Sequence, residues 1–207
     1  PQRQTQESFT RLFGSGDFKK RLKDLSPAER EGAAVEQYAD TLRTIGGFPY
    51  TCTAIVLHPE IDSTRYHLIL ATRSRKGVEV FKRAEGKAME VQERARAEAQ
   101  GRRREAATGQ LALLPPQELH DAAYYNSLRQ ANLEASQRFV REKLGARKRI
   151  SYDELWDLAL SRPLTWEADL KNWIVEWQKQ GLIGIEGMLP RQRVPHTGRN
   201  LFIIWKT

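Results

Sequence analysis

Cysteine is nearly missing from this 207-residue chain: Cys52 is the single one. A disulfide within the chain is therefore excluded, and a cytoplasmic protein is the expectation. Long apolar runs are missing too. None approaches the roughly 20 residues that a membrane helix needs, and the first residues carry no secretory pattern. Metal-ligand spacing is absent: His58, His67, His120 and His196 are scattered, with no Cys or carboxylate at the intervals a metal site uses. No nucleophile stands beside a base in a known catalytic motif. Gly14-Ser15-Gly16 invites a reading as a cofactor loop, but such a loop needs an apolar strand before it, and residues 4–12 do not form one. These glycines read as a turn or a helix cap.

What is present is positive charge. The net charge is +8 and the isoelectric point is near 9.7, which favours a polyanionic partner. Hydrophobic residues make up 40% and charged residues 29%, the balance of a soluble globular chain with exposed helices. The chain opens at Pro1 without an initiator Met, so a processed protein or a piece of a longer one is expected.

Two β-rich runs organise the first half. Residues 51–57 and 66–72 are apolar on both faces, and a polar connector with Pro59, Asp62 and Ser63 joins them. This is a hairpin pattern, and both strands should be buried. A lone two-stranded hairpin is not stable, yet residues 1–110 offer no strong candidate for further strands. Before the hairpin, Ser26-Pro27-Ala28-Glu29 opens a helix with a capping box, expected over 27–45 and ended by Gly46-Gly47. Val35, Tyr38, Leu42 and Ile45 form its apolar stripe.

A long helix is expected over 76–105. Between residues 73 and 104 eleven Lys/Arg stand against five Glu. Two readings stand: a solvated extension held by Glu–Arg neighbours, or a phosphate-contacting arm ending in Arg102, Arg103 and Arg104. Residues 106–117 read as a linker whose Leu111, Leu113 and Leu114 dock as an apolar clip, and a helix over 117–144 follows. The expected units are therefore 1–105, a linker and connecting helix over 106–146, and 147–207.

The last unit reads as a short basic strand (147–150), a helix capped by Ser151, a second helix over 166–180 capped by Thr165, then strands at 182–185 and 201–205 around a polar loop. That order is the winged-helix plan, a helix-turn-helix variant. All five tryptophans fall here and read as core. Asp153, Glu154 and Asp157 read as exposed charges. The candidate nucleic-acid contacts are Arg147, Lys148 and Arg149 on the first strand, Lys171 and Asn172 on the second helix, and Arg191, Arg193 and Arg199 in the wing, together with Arg102, Arg103 and Arg104. The second helix is balanced in charge, and residues 147–207 carry ten basic against seven acidic residues. DNA reading and contact with another protein or domain therefore both stand.

The order Phe13-Gly14 and Phe18, Tyr38 and Leu42, Gly46-Gly47-Phe48, then Tyr66-His-Leu-Ile-Leu-Ala-Thr72 and Gly77, resembles the C-terminal half of the three-Cys-motif partner family. That family is similar to class I S-adenosylmethionine-dependent methyltransferases. Gly181-Leu182-Ile183 resembles the winged helix at the end of many members. The likeness covers roughly residues 9–90 and, more loosely, 147–207. It implies an α+β, mostly helical chain whose hairpin corresponds to the last two strands of a methyltransferase sheet. It also implies that the catalytic and cofactor residues lie on earlier strands, so no position here carries them over. S-adenosylmethionine would be bound only with an N-terminal half present. That half, a nucleic acid and a three-Cys-motif protein are the implied partners. The expected function is the substrate-handling and docking end of a methyltransferase-like protein acting on nucleic acid. The alternative is a non-catalytic winged-helix adaptor that binds DNA or a protein.

Overall fold

The computed structural model describes residues 7, 10, 12–14, 22–23, 25–111, 114–118, 120–189, 192 and 194–206. Ser15, Gly16, Phe18, Leu113, Arg191 and Arg193, singled out above, lie outside the described residues. Helix α1 (Pro27–Thr44) begins at Ser26 as the sequence requires. The Ser26 N–H donates to Glu29 Oε2 at 2.8 Å, and the Glu29 N–H donates back to Ser26 Oγ at 3.4 Å. Its inward face is Ala39 and Thr41 with half-buried Val35, Tyr38 and Leu42. Ile45, expected in that stripe, is 72% exposed, because the helix ends one residue before it.

Strands β1 (Tyr50–Leu57) and β2 (Thr64–Thr72) form an antiparallel hairpin that is a two-stranded sheet by itself. The expectation that both strands are buried holds only for β1. Residues 51–55 and 57 are buried between α1 and the next helix, and β1's outer edge is covered by the Thr53 N–H donating to the Ser161 carbonyl at 3.2 Å. In β2, Tyr66 is 50% and Leu68 47% exposed, since no strand among the described residues lies beyond it.

Helix α2 (Arg75–Thr108) is capped by Ser74 and ends at Gly109, whose φ of 67° closes the last turn. Its second half is not a free extension. Arg96 is 2% exposed, and it holds the β1–β2 connection by donating to the Ile61 carbonyl at 3.0 Å, to Asp62 Oδ1 at 2.6 Å and to the His58 carbonyl. Leu111 and Leu114 are 85% and 50% exposed, so the expected apolar clip does not dock. Helix α3 (Ala123–Arg147) starts later than its sequence pattern suggests. Residues 116–118 form a turn, and Asp121 Oδ1 accepts the Ala123 N–H at 2.8 Å.

The C-terminal residues form β3 (Arg149–Ser151), α4 (Tyr152–Leu160), α5 (Glu167–Lys179), β4 (Ile183–Glu186) and β5 (Phe202–Trp205), with an antiparallel sheet in the order β3-β5-β4. Ser151 caps α4, accepting the Glu154 N–H at 3.1 Å. Thr165 does not cap α5. It is fully buried and bonds Ser136 Oγ at 2.9 Å, while Asp169 Oδ2 accepts the Trp166 N–H at 2.9 Å instead. One apolar core joins this region to the hairpin side: Cys52 and Val78 pack in the same cluster as Leu144, Trp156, Ile174 and Ile203. The fold is thus mixed α and β, mostly helical, with small antiparallel sheets. No helix among the described residues is long and apolar enough to cross a membrane.

Candidate functional site

The expected nucleic-acid contacts fall in three places. The first is the start of the three-stranded sheet. Arg147 is held by Glu154. Arg149 donates Nε and Nη2 to Glu186 Oε2 at 3.2 and 3.1 Å, with its guanidinium carbon 3.5 Å from the centre of the Phe202 ring. Lys148 is exposed, at a φ of 62°. The second place is α5, where Lys171 pairs with Glu167 at 2.7 Å and Asn172 is exposed. Arg199, in the connection before β5, is exposed beside Gly198, whose N–H donates to Asp153 Oδ1 at 2.8 Å. The third is the end of α2. Arg102 and Arg104 are exposed there, and Arg103 donates to the Glu60 carbonyl at 3.3 Å. Three of the expected contacts, Arg147, Arg149 and Lys171, are thus engaged by carboxylates of the chain itself. An exposed pair of this kind contributes little to stability, but a phosphate must compete with it.

The strongest polar chemistry lies inside. Lys82 Nζ meets Glu85 Oε2 at 2.6 Å, with both side chains almost fully buried. The ammonium also donates to the Arg162 carbonyl at 2.8 Å and the Thr53 carbonyl at 3.4 Å, and Glu85 Oε1 accepts the Leu164 N–H at 3.0 Å. Burial pulls the Lys82 pKa below its ordinary value, against the opposing charge of Glu85. The pair thereby ties α2 to β1 and to the turn between α4 and α5. That turn needs tying, since Leu164 has a φ of 52°. A Lys–Glu pair three residues apart reads as a surface pair in sequence, so nothing there marked it as internal.

Arg75 makes a second junction. It donates to Asp157 at 2.7 Å and to Asp153 at 2.9 Å, and it lies over the Tyr50 ring. Asp153 and Asp157, expected to be exposed helix charges, are thus clamps. Burial raises Asp157, opposed by Arg75, and the hydrogen bond to Asp157 raises Arg75. Cys52 is fully buried, and burial pushes its thiol up to about 12, which makes it inert at neutral pH.

Two larger concavities, and a smaller one of about 500 Å³ against Arg103 and Arg104, lie among the described residues. A cleft of about 920 Å³ lies between α1, the hairpin, α3 and α4, with Glu36, Asp40, Arg43, His67, Asp157 and Arg162 on its walls. A second, of about 790 Å³, lies beside α2 with Trp156, Trp166, Tyr125 and Met89. On the wall of the first, His67 Nε2 lies 2.7 Å from Glu31 Oε1. Among the described residues no three His, Cys, Asp or Glu side chains are grouped to hold a metal ion. Among the described residues the surface offers exposed cations at several places and an uncovered edge on β2. No family model, curated protein or solved structure matches this chain.

Proposed function

We propose that this chain is the distal, substrate-handling and docking part of a methyltransferase-like protein of the three-Cys-motif partner type, acting on nucleic acid. The observation that carries the reading is the half-finished hairpin. Among the described residues strand β2 has a partner on one side only, and Tyr66 and Leu68 stand about half exposed on it. An open edge on an apolar strand is what a sheet leaves when its next strand comes from elsewhere. In a class I methyltransferase the last two strands form such a hairpin, closing one edge of a larger sheet whose earlier strands carry the cofactor site.

The C-terminal order β3, α4, α5, β4, β5, with a long connection between β4 and β5, supports the winged-helix reading. Gly14 lies against Thr41 of α1 and Ile45 just past its end, not at a strand-to-helix turn, and no step is routed through S-adenosylmethionine here.

The alternative, a non-catalytic adaptor, draws on one observation: the outward side of α5 is balanced, with Lys171 already paired to Glu167. A groove reader needs donors free to meet bases and phosphates. The reading frame extended upstream separates the two. A strand followed by a glycine-rich turn and a later acidic residue is expected there, and calorimetry should detect S-adenosylmethionine binding by the extended protein and none by the 207 residues. An extended frame that lacks that pattern, or that binds no cofactor, leaves the adaptor.

A further inference from the structure

One run of positive charge spans the boundary between two of the expected units. Residues 138–149, the last half of α3 and the step into β3, carry six Lys/Arg and a single acidic residue, Glu142, and all six cations are exposed. Arg147 and Arg149 are engaged by Glu154 and Glu186, and Lys143 lies over the Phe139 ring. Arg138 and Arg141 stand three residues apart on one side of the helix, and Lys148 is the residue just past its end. Strand β5 meets that side. The Arg141 guanidinium carbon lies 5.4 Å from the Trp205 ring centre, the Trp205 N–H donates to the Lys148 carbonyl at 2.8 Å, and exposed Lys206 comes next, its N–H donating to the Leu182 carbonyl at 2.9 Å.

We propose that this face, Arg138, Arg141, Lys148 and Lys206 around the half-buried Trp205, is where the chain holds the phosphate backbone of a nucleic-acid duplex. Helix α5 and the end of α2 are not the main contact. The proposal rests on the nucleic-acid part of the function above and not on the methyltransferase part.

Cations at a helix C-terminus also favour the helix dipole. That accounts for Arg147 in the last turn and not for Arg138 or Arg141, which stand two to three turns earlier, nor for Lys206 on another element. From 138 to 147 the helix rises about 14 Å, a length over which a duplex presents about eight phosphate charges. A membrane surface fits less well. The large exposed apolar side chains among the described residues lie elsewhere, so this face has nothing to insert into lipid.

The test is fluorescence anisotropy of the 207-residue chain with a labelled duplex of two helical turns, titrated across salt. Four phosphate contacts predict a slope of log K against log salt near −3.6, a fall of about 100-fold between 50 and 200 mM. Arg138→Ala/Arg141→Ala/Lys206→Ala should weaken binding by about 1,000-fold or more at the lower salt and flatten the slope by about 3. Arg102→Ala/Arg103→Ala/Arg104→Ala and Arg199→Ala should each stay within about threefold of the parent. If the triple change disturbs folding, Arg138→Gln/Lys206→Gln decides, because it leaves Arg141 on Trp205. Its slope should flatten by about 2.

Unchanged binding in the α3 variants, with loss in the Arg102–Arg104 variant, overturns the face but keeps the nucleic-acid reading. No binding to duplex or single-stranded RNA at the lower salt overturns both. Tighter binding to phosphatidylserine vesicles or to a polyglutamate peptide than to the duplex overturns the proposal as well.

Discussion

Lys82 and Glu85 are the residues on which most of the internal geometry converges, since each bonds the other and also the backbone of a different element. Removing one partner of a buried pair leaves an uncompensated charge, which costs about 3–5 kcal/mol. Lys82→Met should lower stability by that amount in urea denaturation, and Lys82→Met/Glu85→Gln should recover part of it, because the glutamine oxygen still accepts the Leu164 N–H. Strict additivity of the two losses would mean that the pair is not coupled.

Cys52 gives a pH signature. Its thiol holds its proton to about 12 in the fold, against an ordinary value of 9.0. The unfolded chain therefore loses that proton first. The stability tied to Cys52 is complete below pH 9.0 and declines as pH rises from there toward 12. Cys52→Ala should show a shallower alkaline loss of stability than the parent. Parallel curves would contradict the burial of the thiol. Cys52 itself was legible as a small buried hydrophobe from its place in a β-branched run. The inward Lys82, Glu85 and Arg96 were not, because three- and four-residue charge spacing is the same pattern on a wet helix face.

At the scale of elements, the junction of β2 and α2 is closer than a side chain at Gly77 allows. A Cβ there would stand 2.8 Å from Thr72 Oγ1. Alanine in a helix is ordinarily favoured over glycine by about 1 kcal/mol. Here Gly77→Ala should instead destabilise by about 1–3 kcal/mol through overpacking. Gly77→Ala/Thr72→Ala should restore most of that, read as the thermal midpoint. A plain gain in the single variant would show that the helix sits further from the strand.

Helix starts were the most legible elements. Ser26 and Ser151 place their hydroxyls on N–H groups that otherwise lack partners. Thr165 carried the same signal and went elsewhere, because burial against Ser136 outweighed capping. Linker leucines misled for a related reason. Leu111 and Leu114 show which surface would gain from cover and say nothing about whether a neighbour is within reach.

For the molecule as a whole, the same distinction explains β2. The run from Tyr66 to Ala71 reads as a buried strand, and the structure leaves its outer side open. An apolar pattern records an environment that a strand needs, and on this account the environment comes from a strand outside these 207 residues. The order of elements along the chain was legible because caps, glycines and periodicity are local. The shared core between Cys52, Val78 and the C-terminal helices was not, since contacts that cross from one end of a chain to the other leave no local mark. The three separate places taken by the expected cations have the same cause.

Amide hydrogen exchange along β2 tests the central claim most directly. In the 207-residue chain, the alternate β2 amides that do not bond β1 should exchange like unprotected backbone, while their β1-bonded neighbours exchange slowly. In the protein extended upstream, those alternate amides should gain about 100-fold protection. Full protection already present in the 207 residues, or none gained in the longer protein, would contradict a strand docking on that edge.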